Sequence, residues 1–219
     1  MSVIPSYTFN LDARQAALII VDMQYLSILQ HAALARAGTA QIDDYRFNRV
    51  NQTVIPNLKR LLSFFRHNRL KVLHVITGAE KPDYSDAPAH TKHRYTARND
   101  RRGRPEYEIV EELKPLANEL ILRKKTFSAF ASTGIESALR SMAVNSLLFG
   151  GVLTNVCVGT TARDAADRGF KCILIEDCCS ASNEINHQVE LELFLRIFGR
   201  VESTAGVMLE MERDLASST

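Results

Sequence analysis

The sequence predicts a single α/β domain over residues 1–219, a three-layer α/β/α sandwich around a mainly parallel, roughly six-stranded, Rossmann-like sheet. Three observations point to it. Short apolar runs alternate with amphipathic segments along the chain, which is the pattern of strands buried on both faces by crossover helices. At 219 residues and 46% hydrophobic content, the chain can bury one sizeable core and is short for two. Reactive side chains also fall at the predicted carboxyl ends of strands, where open parallel sheets bind their ligands.

Taken in order, Ala17–Val21 reads as a buried strand closed by Asp22. A long helix follows over Phe47–His67, because Val50, Val54, Leu58, Leu61 and Phe65 recur at three- and four-residue steps; Pro56 kinks it or marks its true start. Lys71–Ile76 is the second strand and Leu120–Arg123 a shorter third. Thr133–Glu136 has capping-box spacing and opens a helix that presents Ile135, Leu139 and Met142. A strand at Ser146–Phe149, a helix at Asn155–Arg168, a strand at Lys171–Ile175 and a helix at Glu184–Phe198 come next, with a last strand near Arg200–Glu202.

One stretch has no clear period. Residues Tyr84–Pro105 are polar and carry Lys92, Arg94, Arg98, Arg101, Arg102 and Arg104. The segment is either a solvated surface loop or a substrate-covering or subunit-crossing loop whose arginines meet a carboxylate.

Charge narrows the partners. Lys+Arg 27 against Asp+Glu 25 gives no basic excess of the kind that nucleic acid or an anionic membrane surface requires, so a small-molecule substrate is expected. Met1–Asn10 shows no basic start, apolar run and cleavage site, and no stretch is apolar for long enough to span a bilayer; a cytoplasmic protein is expected. Cys157, Cys172, Cys178 and Cys179 have neither metal-type spacing nor a disulfide framework, so reduced thiols are expected.

Three reactive side chains share the predicted carboxyl edge of the sheet. Asp22 ends the first strand, Lys124 the third, and Cys157 follows SLLFGG in the first turn of the next helix. A thiol beside a helix N-terminus meets unpaired N–H groups and the positive end of the macrodipole, which favours a thiolate. Lowering its pKa from about 8.5 to about 6 takes about 3.4 kcal/mol, more than a dipole supplies, so a cation such as Lys124 is needed, with Asp22 as proton acceptor. Read singly, each has a plainer role: Cys157 as a small buried hydrophobe, Asp22 as a turn carboxylate, Lys124 as a surface lysine.

The stretches ALIIVDMQ, RKKTFSAF and GGVLTNVCVGTTARDAADRGF, in that order and followed by EDCCSAS, resemble the signature segments of the isochorismatase-like cysteine hydrolases, with similarity from about Ala16 to Val207. The resemblance implies a Cys-Lys-Asp triad of Cys157, Lys124 and Asp22; Lys124 is taken over Lys125 because the family's lysine precedes the serine of the SAF motif, here Ser128, by four positions. It also implies a cis peptide at Val152-Leu153 and an oxyanion hole made by the backbone N–H groups of Leu153 and Cys157. Assembly as a homo-oligomer, dimer or tetramer, is implied as well.

Departures matter too. Nicotinamidases in this superfamily carry an Asp-x-His and a further His after the second strand to hold a metal, and VITGAEKPDYSD contains no histidine. No metal or other cofactor is therefore expected. The acidic-aromatic pair that often follows DMQ is replaced by Tyr25, Leu26 and Ser27. Asn155 is a candidate for a substrate amide or for capping with Thr154, Phe130 for stacking on a substrate or filling the core, and Arg94 for a substrate contact. His187 packs, caps or lines the pocket, and His74 reads as a core residue.

The TTARDAADRGF and EDCCSAS stretches are most similar to members acting on carbamoyl or biuret-type substrates. The implied activity is cysteine-dependent hydrolysis of a small amide or ureide through a thioester. The alternatives are isochorismatase-type vinyl-ether hydrolysis, which needs no thiol, and a catalytically silent member of the family.

Overall fold

A computed structural model describes residues 7–27 and 44–217; Met1–Ser6, at the start of the stretch read for a leader, lie outside them. Six strands, β1 (Ala16–Val21), β2 (Lys71–Thr77), β3 (Leu120–Lys124), β4 (Ser146–Val152), β5 (Lys171–Ser180) and β6 (Arg200–Glu202), form one sheet in the order β3-β2-β1-β4-β5-β6. Every neighbouring pair is parallel. The order reverses between β1 and β4, so the carboxyl ends of these two strands flank the switch point where sheets of this kind hold ligands.

Burial on both faces explains why the strands read as continuous apolar runs. Leu18 and Ile20 of β1 belong to one core with Leu58, Leu61, Leu62 and Phe65 of α2 (Ile55–His67) and Val207 and Met211 of α7 (Thr204–Ser217). Ala17, Ile19 and Val21 point the other way, into a core with Ile135 and Leu139 of α4 (Ile135–Ser141), Ala162 and Ala165 of α5 (Gly159–Asp167), and Leu191 and Phe194 of α6 (Glu184–Ile197). The two-residue period of a strand sorts its side chains into two layers.

Local departures from expectation have physical causes. The long first helix starts earlier, as α1 (Asp44–Arg49), passes through a π-helical stretch at Val50–Val54, and becomes α2, with Pro56 where the π pattern gives way to the α pattern. The capping box at Thr133–Glu136 does not form: Thr133 Oγ1 accepts from Ile135 N–H at 3.2 Å, but Glu136 turns to Arg168 at 2.7 Å. The polar stretch Tyr84–Pro105 contains a helix, α3 (Ala89–Arg98), closed by Asn99 in the left-handed conformation. Only Thr91 and Tyr95 of α3 are buried, too few to produce an apolar period. Helix α7 was not anticipated.

Candidate active site

Asp22 stands where β1 ends. Its own N–H still bonds the Val75 carbonyl of β2 at 2.8 Å, while its φ of 54° turns the chain sharply out of the sheet. A non-glycine residue in that region is uncommon, and here it goes with a carboxylate that faces Lys124 and lines the cavity. Gln24 secures the turn: its Oε1 accepts from Thr77 N–H at 2.9 Å, and its Nε2 donates to the carbonyls of Thr77 at 3.1 Å and Tyr107 at 2.7 Å.

On the far side of β2, Lys124 ends β3 and is fully buried. Its ammonium lies 2.9 Å from Asp22 Oδ2 and donates to the Thr126 carbonyl at 3.2 Å and to Cys157 Sγ at 3.2 Å. Two of the ammonium's donors thus find acceptors, and Asp22 is met as an ion pair. The Asp22 contact lacks hydrogen-bond alignment, so both Asp22 oxygens are buried without a hydrogen-bond donor. Burial works to lower the Lys124 pKa, but the facing Asp22 carboxylate and Cys157 sulfur outweigh it and raise the pKa.

Cys157 comes from a π-helical turn, Thr154–Val158, that links β4 to α5. The Val152-Leu153 peptide entering the turn is cis. The amides of Val156 and Val158 both return to the Leu153 carbonyl, at 3.0 and 3.1 Å. Thr161 Oγ1 donates to the Cys157 carbonyl at 2.6 Å and accepts from Ala129 N–H at 3.2 Å, which ties the turn to the segment after β3. Behind the turn, Arg49 Nη2 donates to His187 Nε2 at 2.9 Å; the proton must then sit on Nδ1, which donates to Thr154 Oγ1 at 2.8 Å. Burial and the adjacent Arg49 lower the His187 pKa to about 4, so the ring is neutral.

The thiol is not the low-pKa group that its helix-start position suggested. Desolvation and the Asp22 carboxylate push Cys157 up to about 12, against the pull of Lys124. Loss of hydration and the facing carboxylate outweigh the one ammonium and favour the protonated thiol at rest.

A cavity opens over this cluster, lined by Asp22, Leu153 and Cys157 at its base. Arg94, Tyr95 and Arg98 of α3, with Thr77 and Phe127, form its wall. Among the described residues no three His, Cys, Asp or Glu side chains are grouped to hold a metal ion. No helix among them is long and apolar enough to cross a membrane.

This sheet order, with an aspartate, a lysine and a cysteine meeting at the switch point, goes with a family match over most of the chain: residues 16–206 match the Isochorismatase domain. The chain belongs to the isochorismatase family. It is similar to the ureidoacrylate amidohydrolase RutB of Serratia proteamaculans (strain 568), 30% identical over 204 residues that cover 86% of this chain and 79% of the relative. In fold it resembles a cysteine hydrolase from Pseudomonas syringae pv. phaseolicola 1448A, with a TM-score of 0.81 and 23% identity over 96% of this chain and 99% of that one. It also resembles N-carbamoylsarcosine amidase from Thermoplasma acidophilum, with a TM-score of 0.66 and 22% identity over 87% and 96% of the two chains.

Within this isochorismatase-family site some expected substrate contacts move. Phe130 is buried away from the cavity, its ring centroid 5.9 Å from that of Phe170 and beneath the Arg168 guanidinium. Phe127, three residues earlier in the same motif, takes the wall position; a segment with an aromatic at each end presents one to each side. Asn155 is not on the cavity wall and caps nothing: the turn has no side-chain cap, and Asn155 Oδ1 is buried without a hydrogen-bond partner. His187 is fully buried and supports the turn rather than lining the pocket. Gln24, Phe127 and the Thr77–Tyr95 hydroxyl pair, 2.8 Å apart, carried no signal of their own beyond lying in or near the quoted motifs.

Proposed function

We propose that this chain hydrolyses a small amide or ureide with Cys157 as nucleophile, passing through a thioester, or a thiocarbamate when the substrate is a ureide. The supporting observation is that the Cys157 sulfur, the Lys124 ammonium and the Asp22 carboxylate share one cluster at the base of the cavity. The names of the relatives, ureidoacrylate amidohydrolase and N-carbamoylsarcosine amidase, agree with cleavage of a carbon–nitrogen bond.

In this reading Asp22 takes the thiol proton as sulfur attacks the carbonyl carbon, so that no free thiolate need form in the resting site. The carbonyl oxygen becomes an oxyanion, held by the backbone N–H groups of Leu153 and Cys157; one such donor is worth about 3 kcal/mol in the transition state. Asp22 returns the proton to the departing nitrogen as the carbon–nitrogen bond breaks, and ammonia or an amine leaves. A water then gives its proton to Asp22 and attacks the acyl carbon, and the sulfur departs and is reprotonated. Lys124 stays charged and balances the carboxylate and the developing sulfur charge.

Ammonia release over a panel of ureides and carboxamides tests this. Wild-type protein should turn over at least one member, Cys157→Ser should lose more than about a thousandfold, and Asp22→Asn should be silent as well. Quenched wild-type reactions should contain protein heavier by the acyl fragment. Full turnover by Cys157→Ser would sink the mechanism.

A further inference from the structure

Helix α6 is apolar on both sides. Leu191 and Phe194 on its inner side belong to the core packed against the sheet. Ile185, Val189, Leu193 and Ile197, at successive four-residue steps over the length of the helix, are all exposed, Ile185 at 75% and Val189 at 58%. Leu195 is exposed on the same helix, so half of the ten large hydrophobic side chains exposed among the described residues sit on these four turns. Apolar side chains scattered singly over a surface need no partner, whereas a contiguous row rimmed by polar residues marks a contact. A helix that is apolar all round is one covered all round.

The shape and charge of the row say what covers it. Side chains four residues apart form a ridge, and such a ridge packs into the matching grooves of another, with the helix axes crossing at about −50°. Glu184 lies in the first turn of α6 and Arg196 in the last, both exposed. Two copies laid antiparallel about a two-fold axis between Val189 and Leu193 bring Ile185 towards the partner's Ile197 and Val189 towards the partner's Leu193. They also bring Glu184 towards the partner's Arg196, so the face is complementary to itself in charge as well as in shape. A parallel pair would set like charges together at both ends. An anionic membrane fits poorly, because Glu184 and Glu192 outnumber Arg196 on the exposed side.

We propose that this ridge is the contact between two copies of the chain, an antiparallel two-fold dimer centred between Val189 and Leu193. None of the ridge residues lines the cavity, and His187 on the inner side of the same helix bonds Thr154 in the Cys157 turn at 2.8 Å. The contact therefore lies on the outer side of the helix that supports the nucleophile turn, away from the cavity lining.

Sedimentation and light scattering of the full chain over about 1–100 μM test it. Wild-type protein should have twice or four times the single-chain mass. Val189→Lys, which puts a charge in the middle of the ridge at an exposed position, should halve that mass with the far-ultraviolet circular dichroism unchanged. Arg196→Glu should raise the dissociation constant about fivefold, since each dimer loses two exposed ion pairs and gains two repulsions. Adding Glu184→Arg to it restores opposite charges in the antiparallel order and should bring the constant back to within about twofold of wild type. A wild-type monomer throughout the range, or a Val189→Lys protein with the wild-type mass, overturns the proposal. A double reversal that binds no tighter than Arg196→Glu alone overturns it too, and decides the question by itself should Val189→Lys lose its fold.

Discussion

The Lys124 ammonium sits 2.9 Å from the Asp22 carboxylate with both side chains closed to solvent. Breaking such a pair costs more than the pair itself is worth, because the survivor is left as an uncompensated buried charge. Lys124→Met and Asp22→Asn should each lower stability by about 3–5 kcal/mol, read from urea denaturation midpoints at unchanged slope. The double variant should recover much of that loss, since neither charge is then buried alone. Single variants within about 1 kcal/mol of wild type would show that water reaches the pair.

Cys157 reactivity should follow the same cluster. With its thiol pushed up to about 12 by burial and by Asp22, Cys157 should alkylate with iodoacetamide more slowly than a free cysteine at pH 7.5, and its rate should keep rising with pH beyond 9. Asp22→Asn removes the neighbour that holds the proton on sulfur while Lys124 stays, so this variant should alkylate faster than wild type even though it turns over nothing. A wild-type rate that levels off near pH 7 would mean a thiolate at rest and a different role for Asp22.

How much of this was legible in the sequence depends on how local the cause was. Asp22, Lys124 and Cys157 were readable because each ends a strand or begins the next helix, and parallel strands bring those ends to one edge. The strand cores were readable because burial on both faces leaves unbroken apolar runs, as in Ala16–Val21. Helix α3 was not, because its contacts are made through Thr91 and Tyr95 hydroxyls rather than an apolar stripe. The exchange of Phe130 for Phe127 on the cavity wall turns on which way the loop between β3 and α4 faces, and spacing is silent on that. The thiol pKa shifts upward where the sequence suggests a downward shift, because the helix start is visible in sequence and the desolvation is not.

His187 predicts a pH dependence that no surface group would give. Its ring is neutral in the fold with a pKa lowered to about 4, whereas in the unfolded chain it titrates near 6.5. Above pH 6.5 neither state binds the proton; below it the unfolded chain takes up a proton that the folded protein refuses, so stability falls as pH drops towards 4. The loss should approach about 3 kcal/mol by pH 4. Because other groups titrate in the same range, the measurement is the difference between wild type and His187→Gln in denaturation at pH 7, 5.5 and 4.5. A constant difference across the three would rule out His187 as the source.

The closeness of β1 and β4 at the switch point depends on Gly151. A Cβ there would lie 2.0 Å from the Val21 carbonyl oxygen, and the residue's φ of 125° is one that side-chain-bearing residues avoid. Neither atom can yield alone, because Val21 immediately precedes Asp22 and Gly151 lies six residues before Cys157. Gly151→Ala should therefore drive β4 away from β1 and separate the sulfur from the carboxylate as well as straining the backbone. We expect a stability loss of about 2–4 kcal/mol together with loss of turnover in the protein that still folds. Gly103 is the control: it too has positive φ, 85°, but a Cβ there meets nothing within 4 Å, so Gly103→Ala should cost only the backbone term of about 1 kcal/mol and keep activity. Equal effects of the two substitutions would show that the Val21 contact relaxes freely and that Gly151 matters for its backbone angle alone.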